Sequence, residues 1–150
     1  MPRSLLVEHD AFHEELERAT AIPGRLGEMA RTVVRVLGAH FAKEEQLALP
    51  PLGLLAMLVD GHVPADAASV VRRTDRLKAE LPRMLEEHRE IVKALDRMID
   101  VALAENRFEI ADFGDRMKHH ALMEEEVLYP TAILVGEFIK LRLQGASSPW

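Results

Sequence analysis

The sequence of 150 residues contains no cysteine, which removes disulfides, thiolate metal sites, iron–sulfur ligation and thiol nucleophiles together. It also lacks any surplus of positive charge. With 19 Lys and Arg against 25 Asp and Glu, the formal net charge is −6 and the pI is about 5.6, so a phosphate-binding surface is not expected and nucleic acid is not an expected partner. Long hydrophobic runs are missing too. The longest, "LALPPLGLLAMLV" at 47–59, is interrupted by Pro50 and Pro51 and is too short to cross a bilayer. "MPRSLLVEHDAFHEEL" has no apolar stretch before its charges begin, so no signal peptide is expected. The expectation is a cytoplasmic protein with no membrane partner. No convincing alternation of apolar and polar residues, the mark of a half-buried strand, occurs.

What is present is helical periodicity, almost everywhere. Hydrophobic residues make up 48% and charged residues 29% of the chain, a balance and a length that suit one globular domain. The expectation is therefore a single all-α domain, 1–150, with its core over about 5–135 and a loose tail at 144–150. Ser4 is placed to cap a first helix running to about Ala19. The "AIPG" turn at 21–24 separates it from a second helix that should end before Pro50 and Pro51. A short extra helix and the "DGHVP" turn follow. A long pattern from about Ala65 to Glu105 should kink or restart at Pro82. A fourth main helix is expected from about Glu109 to Tyr129, stopping at Pro130, with "AILVGEFIKLRL" as a C-terminal helical segment. Four main helices with short connections predict an up-down-up-down bundle.

One pattern is written twice. "HFAKEEQLALP" at 40–50 and "HALMEEEVLYP" at 120–130 share histidine, glutamate four positions later, a second glutamate, and proline six positions past the first glutamate. His40 to His120, Glu44 to Glu124 and Pro50 to Pro130 are each 80 positions apart, and "EHDAFHEEL" at 8–16 aligns with "EHREIVKAL" at 87–95. The chain reads as two helical hairpins of one design. His40 and Glu44 lie one turn apart on one helix face, as do His120 and Glu124. Counting from the turns at about 1.5 Å per residue brings His9 and His88 to nearly the same height. Four imidazoles and two carboxylates in an apolar interior are costly without compensation. Two divalent ions, each with two histidines and sharing two glutamates, would supply it. Such sites leave room for a bridging oxygen species and an open position. Imidazole with carboxylate suits iron or manganese better than two closed zinc sites. The Glu-x-x-His pattern of ferritin-like carboxylate proteins has the opposite order and a different spacing.

These residues resemble the hemerythrin-like "HHE" cation-binding domains, over roughly residues 5 to 135. The resemblance implies a four-helix bundle around a non-heme di-iron centre with an oxo or hydroxo bridge. One iron would be held by His9 and His40, the other by His88 and His120, with Glu44 and Glu124 bridging. It implies a small ligand, O2, peroxide or NO, and an electron donor that the sequence does not identify. The expected role is redox turnover in oxidative or nitrosative stress or iron–sulfur repair, or binding, storage or sensing without turnover; a third reading has the metal only as a structural staple for the bundle. Where the respiratory oxygen carriers of this family have an HxxxH pair on the third helix, His88 is followed four residues later by Val92. The four-histidine, two-glutamate set looks more like the branch that includes the iron–sulfur-cluster repair proteins, whose usual cysteine-containing segment has no counterpart here.

The other candidates are weighed separately. His13 forms its own HxxxE with Glu17, but its counterpart in the second hairpin is Val92; whether it is a fifth ligand stays open. His119 points about 100° away from His120, and His62 reads as a loop residue. Glu45 and Glu125 should face a neighbouring helix or solvent, with contact to an imidazole N–H as the alternative. Leu37, Met84, Leu85 and Met117 are expected in the core, and Tyr129 as helix-end packing, with a redox role as the alternative. The oligomeric state is open.

Overall fold

Helical periodicity becomes helix nearly from end to end. In the computed structural model, which describes residues 1–147, α1 spans Arg3–Thr20, α2 Arg25–Lys43, α3 Leu49–Leu52, α4 Leu55–Val59, α5 Ala67–Ala104, α6 Phe108–Met123 and α7 Tyr129–Ser147. A π-helical turn, Glu44–Ala48, joins α2 to α3, and a second, Glu124–Leu128, joins α6 to α7. No strand occurs among the described residues, and none of their helices is long and apolar enough to cross a membrane.

The turns follow the chemistry of their residues. Between α1 and α2, Gly24 adopts φ 86°, a conformation that costs glycine no Cβ clash. The chain there folds back so tightly that a Cβ on Gly27 would stand 1.9 Å from the Ile22 carbonyl oxygen. Between α5 and α6, Asn106 takes φ 58°, which asparagine tolerates better than most residues. The Arg107 N–H then donates to the Ala102 carbonyl at 2.7 Å. Ser4 lies inside α1 rather than capping it, and no side chain caps that helix.

Prolines end fewer helices than expected. A proline inside an α-helix has no N–H, and its ring collides with the carbonyl four residues earlier. At Pro50 and Pro130 the preceding turn is widened instead: the Leu49 N–H donates to Glu44 O and the Tyr129 N–H to Glu124 O. One extra residue in the turn relieves the clash, and the chain continues as helix. The fourth main helix therefore runs through Pro130 into α7. α5 likewise neither stops nor restarts at Pro82, which lies inside it. The expected loose tail is helical as far as Ser147; residues 148–150 lie outside the described residues.

In the bundle α1 packs on α2, α2 on α5, α5 on α6 and α6 on α1, while α7 and α3 pack on each other and α7 on α5. The close approach of α5 and α7 depends on Gly136, where a Cβ would meet Thr74 Oγ1 at 1.8 Å. One apolar layer contains Phe12, Leu37, Phe41, Ile91 and Met117; another contains Leu47, Ala48, Met84 and Tyr129. Along α2, α5 and α6 the motif residues fall between these layers. Leu37, Met84 and Met117 are buried as expected, whereas Leu85 is only half-buried.

Candidate metal centre

Each motif residue reaches the interior from its own element. His9 comes from α1, His40 from α2, His88 from α5 and His120 from α6, while Glu44 and Glu124 open the two π turns. All six are buried, from 0% exposure at Glu44 to 6% at His120, and among the described residues the only other side chains with polar atoms buried to that degree are Thr74 and Tyr129. Such a concentration of polar groups in an apolar core needs a compensating partner.

The imidazole Nε2 atoms turn inward. His40 Nε2 lies 2.8 Å from Glu44 Oε1, and His88 Nε2 lies 3.7 Å from Glu44 Oε1 and 3.5 Å from Glu124 Oε1. On the other side, His9 Nε2 is 3.2 Å from His120 Nε2, and His120 Nε2 is 3.6 Å from Glu124 Oε1. Two metal-sized donor groups result: His40, Glu44, His88 and Glu124, and His9, His120 and Glu124, with the donor atoms of each group within 4.8 Å of one another. Glu44 Oε2 reaches toward the second group, 3.6 Å from His9 Nε2.

This grouping corrects the pairing of His9 with His40 and His88 with His120. Each group instead takes one histidine from each hairpin. The facing interfaces are α2 with α5 and α1 with α6, and they set the ring centroids of His40 and His88 4.5 Å apart and those of His9 and His120 5.2 Å apart. Neither half-site exists within one hairpin.

Outer carboxylates fix three of the four rings. His40 Nδ1 donates to Glu87 at 2.9 Å, His88 Nδ1 to Glu125 at 2.9 Å and His120 Nδ1 to Glu8 at 2.5 Å. Glu8 and Glu87 are the acidic members of the two "EH" pairs, and each serves a histidine of the other hairpin. With one proton held on Nδ1, Nε2 is the ring atom left to face a cation. Glu45, which occupies the repeat position of Glu125, is exposed, and His9 Nδ1 has no hydrogen-bond partner.

The electrostatics follow from burial and crowding. Burial works against charge on both inner carboxyls. Hydrogen bonds involving Glu124, His40 and His88 overcome it for Glu44, held well below the usual carboxylate range, whereas burial and the neighbouring Glu44 push Glu124 up. In the absence of a cation the two carboxyls are thus driven apart, with Glu44 the stronger acid and Glu124 the weaker. His88 is raised to about 10: burial opposes the charge, but Glu124 and Glu44 outweigh it. Burial lowers His9 despite the pull of Glu44.

The donor set fits a pair of cations. Glu44 Oε2 and Glu124 Oε2 are buried without hydrogen-bond partners, as bridging carboxylates awaiting a positive charge would be. Apolar rings close the surroundings, with Phe41 stacked on His9 at 4.8 Å and Phe12 edge-on to His120 at 5.1 Å.

The remaining histidines lie outside. His13 is exposed, its ring edge-on to Phe41 at 4.8 Å, and it belongs to neither donor group. His62 and His119 are exposed. Sequence reasoning did not foresee the contacts of Tyr129, expected as helix-end packing with a redox role as the alternative. Its hydroxyl donates to Glu44 and lies 3.2 Å from both His40 Nε2 and His88 Nε2, and burial, with the charge on Glu44 next, pushes its pKa up. The available signal was its place directly before Pro130, one position past a π turn that the sequence did not reveal.

The family model described as "Hemerythrin HHE cation binding domain" matches residues 2–132. Comparison with curated proteins and with solved structures returns no match.

Proposed function

The chain belongs to the hemerythrin HHE cation-binding domain family, and from that premise we propose a cytoplasmic non-heme di-iron protein that binds or reacts with O2, peroxide or NO. The observation that carries this reading is the buried donor set of four inward Nε2 atoms and two carboxylates with orphaned oxygens. His40, His88, Glu44 and Glu124 would hold one ion; His9 and His120 would hold the other, with Glu124 and the second oxygen of Glu44. In this reading the four main helices alternate up-down-up-down. Bound iron would supply one-electron chemistry and an open position for the small ligand.

The chain's own residues do the rest. Glu8, Glu87 and Glu125 hold three imidazoles in the tautomer and orientation that ligation needs. Glu44 and Glu124 place negative charge between the half-sites, and Phe12 and Phe41 cover the rings of His120 and His9, limiting water. The second reading is a module that stores, delivers or senses the gas or iron without turnover. It rests on the same donor set, since nothing in that set requires a reacting side chain.

Metal content per chain of gently purified protein is the test. About two irons are expected from the two donor groups. The reduced protein is then mixed with O2, peroxide and NO: rapid oxidation with peroxide consumption marks the enzyme, and a stable oxygen adduct the binding module. Iron absent after anaerobic reconstitution, or a single zinc in its place, overturns both.

A further inference from the structure

We propose that Tyr129 is itself a metal ligand, binding the His40–His88 ion through its phenolic oxygen and making the two half-sites chemically unequal. This inference rests on the metal-binding reading above. The hydroxyl has one proton and donates it to Glu44. Once His40 and His88 keep their protons on Nδ1, held by Glu87 and Glu125, their Nε2 atoms face the phenolic oxygen lone pair to lone pair, at 3.2 Å each. With both Nε2 atoms free of protons, as ligation requires, three lone pairs converge on one point that a cation can occupy.

Their spacing fits that of fellow ligands. Two donors at bond lengths near 2.0–2.1 Å and right angles on one ion stand about 3 Å apart. Tyr129 is 1% exposed and begins α7 directly after the second π turn, so its position is fixed by the same widened turn that carries Glu124. On coordination the iron–oxygen bond forms, the phenolic O–H bond breaks, and its proton passes by way of Glu44 to the buffer; no electron moves.

The internal repeat shows why this matters. The position 80 residues earlier is Leu49, which has no ligand atom, so the His9–His120 group lacks a counterpart. A phenolate raises the ligand count of one ion and favours its ferric state, because an anionic oxygen stabilises the higher charge. The open position then belongs to the His9–His120 side, where Phe41 stacks on His9 and Phe12 lies edge-on to His120.

The chain has a single tyrosine, so a phenolate signature has one possible source. Wild type and Tyr129→Phe are loaded with ferrous iron without oxygen, oxidised with ferricyanide, desalted, and compared by iron content, visible absorption and resonance Raman spectroscopy. The expected result is a phenolate-to-iron(III) charge-transfer band with enhanced tyrosine ring modes in wild type, absent from Tyr129→Phe at comparable iron content. If Tyr129→Phe does not fold, the wild-type spectrum decides alone. Iron retained by wild type without that band overturns the ligand assignment and leaves the metal site standing; no iron retained overturns both.

Discussion

Glu87 touches His40 and Lys43 but belongs to neither inner donor group, so it separates the orientation of a ligand from ligation itself. Glu87→Gln keeps the shape and removes the charge that anchors the His40 Nδ1–H. Outer partners of this kind are worth about 10–100-fold in metal affinity, and that loss is expected in a competition titration against a chelator. Glu45→Gln is the contrast: Glu45 is exposed and makes no hydrogen bond to an imidazole, so affinity is expected to stay unchanged. His120→Ala and Glu124→Ala remove proposed ligands, and both are expected to lower metal content and thermal stability together. Full metal content in either variant would refute the assignment of that residue.

Among the elements, the turn between α1 and α2 sets how far His9 and His40 rise on their helices. Gly27 sits near the start of α2, where alanine would be the better helix former by about 1 kcal/mol. Its added Cβ, however, would stand 1.9 Å from a backbone carbonyl oxygen at Ile22, and backbone cannot swing aside as a side chain can. Overpacking of this kind costs about 1–3 kcal/mol, so the clash wins. Gly27→Ala is expected to lower the urea midpoint without changing the slope; a raised midpoint would show that the turn yields.

For the whole molecule, metal binding and folding are expected to be one equilibrium, because the proposed ligands come from four helices that must dock before either group exists. A free metal concentration about 100 times Kd is expected to stabilise the fold by roughly 2.7 kcal/mol, read as a higher Tm that chelator reverses. Protons compete for the same lone pairs. His88, at about 10 without a cation because Glu124 and Glu44 outweigh its burial, is protonated at neutral pH and must lose that proton to ligate. Loading is therefore expected to release protons and to weaken as pH falls, which calorimetry in buffers of different ionisation enthalpy would measure; uptake independent of pH would contradict it.

The sequence by itself determined the helical class, the two-hairpin repeat and the six buried donors, because periodicity and i, i+4 spacing are local properties of a helix and the repeat brought distant copies into register. Local pattern could not see which hairpin's histidines meet. Pairing of His40 with His88 and of His9 with His120 is a property of interfaces between helices, and only docking decided it. The same holds for Tyr129: a proline read as a stop is in fact passed by a π turn, and that one extra residue in the backbone, invisible in composition or spacing, placed a phenol beside His40, His88 and Glu44.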